Sequence, residues 1–349
     1  MDHRGPLLVG PASGMITGQS VAFTEACNAV PEGRVVDSAF SSIGKILSYP
    51  FRLLAGFLQT RRTVYFTSSR SYVGFYFRDI PLILFCVLFR RRVINHLHGN
   101  DFNLFRKGAD PFTRILLDAS YRRIDISCAP TLGLLQQYER YPAMKKAAVP
   151  NFFDPNIIAR SEFSCSQDTI SILFLSNLIY SKGFKAAFEA FVILRKRGIQ
   201  ANITFCGAPV ASPEFSEKDI SKFLRRLVDN PFAEYLGVVQ GPDKWRILNT
   251  ADVLVLPTSY PTEAAPISII EGFAAGCYVV TTAVGAIPEM VDGFEFAIVA
   301  PTPVQIANAI QSFAVSGDRE GVARLNRNLA IERYSLQRFH ANIRAIFYK

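Results

Sequence analysis

The segment Asp252–Glu289 constrains this chain more than any other. It reads DVLVLPTSYPTEAAPISIIEGFAAGCYVVTTAVGAIPE. Val253 to Leu256 form an uninterrupted apolar run, the mark of a buried strand in a parallel sheet. The strand ends at Pro257, and a polar, kinked loop leads to Glu263. A helix then begins near Pro266, carries Glu271 in its second turn and stops at Gly276. A second apolar strand, Tyr278 to Thr281, follows at once. Open α/β sheets bind ligands beyond the carboxyl ends of their strands, which is where this helix starts. Its first N–H groups and positive dipole end suit a phosphate or diphosphate. Glu263 and Glu271 supply hydroxyl acceptors to either side. Phosphate flanked by hydroxyls describes a nucleotide-sugar.

Two glutamates at this spacing are common. What makes the pattern specific is the apolar strand before it, Pro266 in the first turn and Gly276 as the stop. The frame P-T-x-Y-P-T-E-x-x-P-x-S-I-I-E-x-x-A-A-G from Pro257 to Gly276, with the trailing T-T-A-V-G-A-I-P-E, resembles the E-x7-E signature of the family-4 retaining glycosyltransferases. The resemblance covers residues 90–349 more fully than the first 90. It implies an α/β GT-B fold, two Rossmann-like domains facing each other across a cleft. Residues 1–150 would be the acceptor-binding domain and 151–334 the nucleotide-sugar-binding domain. Residues 335–349 would form a helix packing back on the first.

A length of 349 residues favours two domains on size alone. Between them, Val149-Pro150-Asn151-Phe152-Phe153-Asp154-Pro155 resists a continuous helix and reads as a hinge. The mean hydropathy of +0.18 is high for a soluble enzyme. Yet the longest apolar run, Ile80 to Phe89, is too short to span a bilayer and is fenced by Arg78, Asp79 and Arg90 to Arg92. The N-terminal apolar run is too short for a signal peptide. The six cysteines are scattered without a C-x-x-C pair, which points to buried thiols in a reducing compartment. The net charge of +9 lies wholly in the first half. Through Pro150 there are 19 Lys/Arg against 10 Asp/Glu, and beyond it 19 against 19. Arg61-Arg62, Arg90 to Arg92, Arg122-Arg123 and Lys145-Lys146 alternate with Phe51, Phe57, Phe75, Tyr76 and Phe77. This composition points to an anionic membrane surface as a partner. No reader motif accompanies the charge, so nucleic acid is not expected. The implied location is cytoplasmic, peripheral on the inner face of the cytoplasmic membrane.

Short apolar runs alternate with helical patterns throughout. In the first half, strands are expected at Leu7–Val9, Thr63–Thr67, Val93–Leu97, Ile124–Cys128 and Ala147–Pro150. A helix is expected from about Ser20, and a helix or helix pair, broken near Pro81, over Tyr72–Phe89. In the second half, strands are expected at Thr169–Leu175, Ala201–Cys206 and Tyr235–Val239. Helices are expected at Phe184–Arg197, Ile220–Val228, Lys244–Asn249 and from Ser335 to Phe347.

By resemblance, Glu263 holds donor-sugar hydroxyls and Glu271 the ribose hydroxyls. After Ala265 and Pro266, the N–H groups of Ile267 and Ser268 meet the distal phosphate. Pro266 has no N–H to offer. Lys182, before Gly183, can neutralise a diphosphate oxygen. Asn177 stands where the family has arginine, so the first cationic phosphate ligand is missing. Gly207 is a close-approach position for ribose or base, and Val239 lies where the base is read through backbone groups. In the first half, Gly14 belongs to a glycine-containing loop after the first strand. His96 and His98 share one strand face by its period of two. His98, in H-x-H-G, is placed near the donor sugar, and Asp101 toward the acceptor. No Asp-x-Asp occurs, and no carboxylate or cysteine spacing completes a site around the two histidines. No metal and no cofactor are therefore expected.

Glu263, His98 and Lys182 are thus the candidate catalytic residues. The reaction implied moves a hexose-type sugar, with retention, from a UDP- or GDP-linked donor to a hydroxyl of a glycan or lipid-linked glycan. Two alternatives stay open. One is a nucleotide-sugar 2-epimerase of the same fold. The other is a non-catalytic nucleotide-sugar or membrane adaptor.

Overall fold

A computed structural model describes residues 5–13, 18–40, 42–60, 62–69, 71–158 and 169–348. The chain divides into two units, Met1–Asn151 with Gln337–Lys349, and Phe152–Leu336.

The first unit runs β1 (Leu7–Gly10), α1 (Gly18–Ala29), β2 (Arg34–Asp37), α2 (Ile43–Gln59), β3 (Thr63–Thr67), the single turn α3 (Tyr72–Gly74) and α4 (Ile80–Leu88). It continues through β4 (Arg92–His96), α5 (Phe102–Gly108), α6 (Pro111–Tyr121), β5 (Ile126–Ala129) and β6 (Lys145–Ala148). The six strands are parallel in the order β2-β1-β3-β4-β5-β6. The chain steps one way from β1 to β2 and the other way from β2 onward. Right-handed crossovers therefore put α1 on one face of the sheet and α2 and α4 on the other. Leu7, Leu8, Tyr65, Phe66, Val93 and Ile94 fill the interior between these layers.

The break expected near Pro81 is placed differently. Pro81 does not break the helix: α3, a π-helical turn and α4 run on continuously, with helical backbone at Gly74, Asp79 and Ile80. The irregularity is a π-helical turn at Phe75–Asp79, which sends Asp79 inward. There the carboxylate accepts from Ser69 N–H at 2.8 Å and pairs with Arg78 at 2.9 Å. Burial, the largest influence, raises its pKa, and Arg78 opposes that.

The second unit runs β7 (Ile170–Leu175), α7 (Phe184–Lys196), β8 (Ala201–Cys206), α8 (Glu217–Val228), β9 (Ala233–Gly237), α9 (Gly241–Asn249), β10 (Val253–Leu256), α10 (Ile267–Ala275) and β11 (Tyr278–Thr281). Then follow α11 (Ile287–Val291), β12 (Phe296–Ile298), α12 (Pro303–Ser316) and α13 (Arg319–Tyr334). Its sheet is also parallel, in the order β12-β11-β10-β7-β8-β9. A capping box at Ser216 and Asp219 starts α8, three residues before the apolar pattern first shows.

The last helix, α14 (Leu336–Tyr348), belongs to the first unit. His340 meets Glu25 at 2.9 Å, Arg344 donates to Ala29 C=O at 2.9 Å, and the Phe347 ring lies 5.6 Å from that of Tyr65. Of the five described cysteines, Cys86, Cys128, Cys206 and Cys277 are buried free thiols, and Cys27 is a half-buried one. Cys165 lies outside the described residues. Among the described residues no helix is long and apolar enough to cross a membrane.

Candidate functional site

The second sheet changes direction at β7. The chain leaves β7 toward β8 and β9, then returns to β10 on the opposite side. The carboxyl ends of β7 and β10 are thus the switch point at which parallel sheets bind ligands. The candidate residues of this unit come from the loops that leave those two strands.

After β7, a short turn at Tyr180–Lys182 leads into α7 through Gly183, whose φ is 84°. A Cβ on Gly183 would lie 2.4 Å from Pro257 C=O, so glycine lets this turn rest directly on the exit of β10. Ser259 N–H bonds Ser181 C=O at 2.7 Å and ties the two loops together. The result brings the Lys182 ammonium 2.6 Å from a carboxylate oxygen of Glu263, both side chains largely buried. Thr258 Oγ1 donates to the same oxygen at 3.0 Å. The Tyr260 ring lies 4.8 Å from Lys182 Nζ and adds a cation–π contact. Glu263 is therefore oriented by a cation and a hydroxyl and is not a freely solvated carboxylate.

A second pair lies on the other side of the α10 N-terminus along the chain. Glu271, 5% exposed, meets Lys244 Nζ at 2.5 Å. Burial raises the Glu271 pKa most strongly. Lys244 pulls it down through charge and a hydrogen bond, and Asp154 pushes it up. Asp154 is itself held by Trp245 Nε1 at 2.9 Å. Lys244 was not among the residues the sequence singled out. Its helix precedes β10 and Glu271 follows it, so only the packing of α9 against α10 brings them together.

Pro266 occupies the N-cap position of α10 and provides no side-chain cap. The first N–H groups of a helix, here those of Ile267 and Ser268, have no intrahelical acceptor. Ala265 before them is buried. The loop after β11 comes down on this turn, with Ala286 N–H bonding Ala264 C=O at 2.9 Å. Gly285 makes that approach possible. Its φ is 60°, and a Cβ there would lie 2.2 Å from Glu263 C=O. The sequence carried this signal as the glycine of T-T-A-V-G, which was not singled out as a site residue.

Three other donor-side candidates are placed as follows. Asn177 Oδ1 accepts from Ala208 N–H at 3.2 Å, so the amide braces the loop after β8. Gly207 bonds Gly237 C=O through its N–H at 2.7 Å and accepts from the Tyr235 hydroxyl at 3.0 Å. Val239 is not the end of a strand. β9 stops at Gly237, whose φ of 67° turns the chain out of the extended region.

In the first unit, β4 ends at His96, so His98 lies two residues past the strand and not on it. The rings still meet, with centroids 4.0 Å apart. His96 Nδ1 and the Tyr65 hydroxyl are 2.5 Å apart. Burial, and secondarily His98, hold the His96 pKa well below its usual value, so His96 stays neutral. His98 thus rests on a neutral, hydrogen-bonded ring. Asp101 takes the N-cap position of α5, half-buried. Gly14 lies outside the described residues. Among the described residues no three of His, Cys, Asp and Glu gather as a metal-holding group.

The family model for Glycosyl transferases group 1 matches residues 169–314, inside the second unit. A curated relative, Lipopolysaccharide 1,2-N-acetylglucosaminetransferase of Salmonella typhimurium, is 26% identical over 232 residues, 60% of this chain and 59% of that protein. The match thus spans less than two thirds of that relative. Among solved structures, Anabaena Alr3699/HepE in complex with UDP and glucose superposes with a TM-score of 0.73 at 15% identity, covering 98% of this chain and 99% of the other. Sucrose-phosphate synthase from Thermosynechococcus elongatus gives 0.68 at 14% identity, covering 99% and 98%. The chain has the two-domain GT-B fold.

Proposed function

We propose that this chain is a glycosyltransferase that moves a hexose-type sugar from a nucleotide diphosphate sugar to a hydroxyl of a glycan or lipid-linked glycan. The observation that carries the reading is the pair of buried lysine–carboxylate contacts, Lys182–Glu263 and Lys244–Glu271, set before and within α10 beside its N-terminus. Preorganised charges and N–H groups of this kind stabilise a leaving diphosphate without reorganising at the moment of reaction. In this reading Lys182 and the N–H groups of Ile267 and Ser268 meet the diphosphate. Glu271 takes the ribose hydroxyls and Glu263 those of the sugar, while His98 contributes a ring N–H to a sugar hydroxyl or phosphate. Asp101 faces the acceptor, transfer proceeds with retention, and no divalent cation takes part. The first unit would serve the acceptor and the second the donor.

The Salmonella relative supports an acceptor of the lipopolysaccharide or surface-polysaccharide type. The Anabaena structure supports a UDP-linked donor. The basic first half supports a protein peripheral on the inner face of the cytoplasmic membrane. A second reading, a non-catalytic nucleotide-sugar adaptor, draws on Asn177, which braces a loop where the family has a cationic phosphate ligand.

Thermal stabilisation across a panel of nucleotide-sugars, followed by donor turnover with and without chelator, tests the proposal. A transferase is stabilised by one donor and releases its nucleotide at a chelator-insensitive rate that Glu263→Ala abolishes. Stabilisation with no turnover identifies the adaptor. Turnover that needs no acceptor and inverts C2 identifies the epimerase.

A further inference from the structure

The first unit exposes an apolar stripe that its own core does not explain. On α2, Ile43, Leu47, Phe51, Leu54 and Leu58 are all exposed, Phe51 to 75%. At 3.6 residues per turn these five positions fall within an arc of about 80°. The adjoining side of the same helix, about 120° round, supplies Tyr49, Leu53 and Phe57 to the core. The helix is therefore apolar on two sides, one of them facing solvent. Leu84 and Leu88 of α4 are exposed in the same way, and α4 lies beside α2 on the same face of the sheet. The Phe57 ring stacks on Phe85 at 5.5 Å and Phe89 at 5.3 Å, which draws the carboxyl ends of the two helices together.

The charge along this stretch of the chain is predominantly positive, with Asp37 at its start lying 3.6 Å from Lys45 of α2. Between Asp37 and Asp101 the chain holds nine Lys/Arg and a single acid, Asp79. That acid is buried against Arg78 and offers nothing to the surface. Two exposed arginines beyond the carboxyl ends of α2 and α4 occupy left-handed backbone, Arg62 at φ 68° and Arg90 at φ 49°. Arg90 closes α4, with its N–H on Val87 C=O and the next N–H on Cys86 C=O, where glycine is the usual residue. Two cations are thus kept at positions that penalise any side chain. Apolar side chains with cations at their carboxyl end complement an anionic lipid surface, not an aqueous one.

We propose that the α2–α4 face of the first unit docks on an anionic phospholipid bilayer. Phe51 and its neighbours enter the acyl boundary, and Arg62 and Arg90 meet headgroup phosphates. This deepens and rests on the peripheral-membrane part of the reading above. It is independent of the transfer chemistry, so it is measured without any sugar nucleotide.

The test is sedimentation of the full chain with vesicles of phosphatidylcholine alone or mixed with phosphatidylglycerol, at about 50 and about 500 mM salt. Binding is expected to the anionic vesicles at low salt and to weaken at high salt. Arg62→Gly with Arg90→Gly should weaken it about 25-fold, roughly fivefold per arginine lost from the headgroup layer. Glycine suits both φ angles, so the melting temperature should hold or rise, which separates lost binding from lost folding. Leu47→Gln with Phe51→Gln should weaken binding about tenfold or more at both salt concentrations. No association with anionic vesicles at low salt overturns the proposal, as does unchanged binding by the Leu47/Phe51 variant. A lipid-free dimer in light scattering that the same variant dissociates also overturns it, by making the face a contact between copies of this chain.

Discussion

Lys244→Met should expose the energetics of the Glu271 carboxylate. The substitution keeps most of the side-chain volume and removes the cation 2.5 Å from Glu271. Breaking a buried pair from one side costs about 3–5 kcal/mol, because the remaining charge has no compensation. Lys244 is 27% exposed, so water reaches its end of the contact and the expected loss is nearer ~2–3 kcal/mol. The loss should depend on pH, and the sign follows from linkage. Burial already raises the Glu271 pKa, and Lys244 opposes it, so the variant raises it further. A carboxyl whose folded pKa exceeds its unfolded value binds more protons in the native state across that interval. Stability then falls as pH rises from the ordinary glutamate range through the folded value. The deficit should be smallest in acid, where the carboxyl is mostly protonated in both states, and grow as pH rises through the folded value. Trp245 is the only tryptophan in the chain and adjoins the substituted residue, so its fluorescence in a denaturant titration reports on this unit directly. Adding Glu271→Gln should recover at least half of the loss at pH 7.5, since no buried charge remains. An equal deficit at pH 4 and pH 7.5 would refute the reasoning, as would a double variant as unstable as the two single losses summed.

Three further outcomes follow from the same geometry. Glu263→Gln keeps the shape beside Lys182 and Thr258 but loses the charge, and donor turnover should fall by ~10²–10³-fold while the protein stays folded; a change under threefold in a steady-state assay would remove Glu263 from the chemistry. Gly285→Ala combines a φ of 60° with a Cβ 2.2 Å from Glu263 C=O, so unfolding of the second unit should be easier by ~2–4 kcal/mol, read again by Trp245. Asn177→Arg introduces a cation beside the β7–β10 switch point at the expense of the Ala208 brace, and calorimetry should find a nucleoside diphosphate bound about 5–10-fold more tightly at low salt, with no gain at high salt.

The interior strands were legible because a parallel strand covered on both faces is apolar at consecutive positions. Thr63–Thr67, Val253–Leu256 and Tyr278–Thr281 coincide with the observed bounds of β3, β10 and β11, and Ala201–Cys206 with β8, whose exposed Asn202 and half-covered Thr204 make it alternate instead. The edge strands lack that signal. Arg34–Asp37 has two exposed residues and Phe296–Ile298 is only partly covered, and neither was picked out. The other two edges, β9 and β6, were each drawn two residues late: Tyr-Leu-Gly-Val-Val reads as a longer run than the sheet can pair, and β6 opens on the exposed Lys145-Lys146. α2 escaped for a different reason. Lys45, Ser48 and Arg52 mark a polar side, but Pro50 interrupts the pattern and the apolar residues spread over more than half of the helix, from the core to the exposed stripe.

The site divides in the same way between local and distant information. Glu263, Pro266 and Glu271 lie within one strand–helix unit, so their spacing alone places them around the α10 N-terminus. Lys182 was found because it enters α7 beside Gly183, and the sheet order then sets that turn against Pro257. Lys244 was missed because nothing near it in sequence distinguishes it from Arg246, an exposed residue on the same helix. The distinction is burial of its partner. Glu271 projects from the buried side of α10, where a carboxylate is tolerable only beside a cation, so some basic side chain must reach it. α9 leads into β10 and α10 leaves it in the same direction along the sheet, so both lie on one face, and of the two cations of α9 Lys244 extends to the carboxylate while Arg246 pairs weakly with Asp243 in solvent. A buried acid on α10 therefore predicts an unseen base on a helix packed against it, and between α9 and the arginine-rich α13 it is α9 that supplies one, because Arg327 of α13 donates to the Ala274 and Ala275 carbonyls instead.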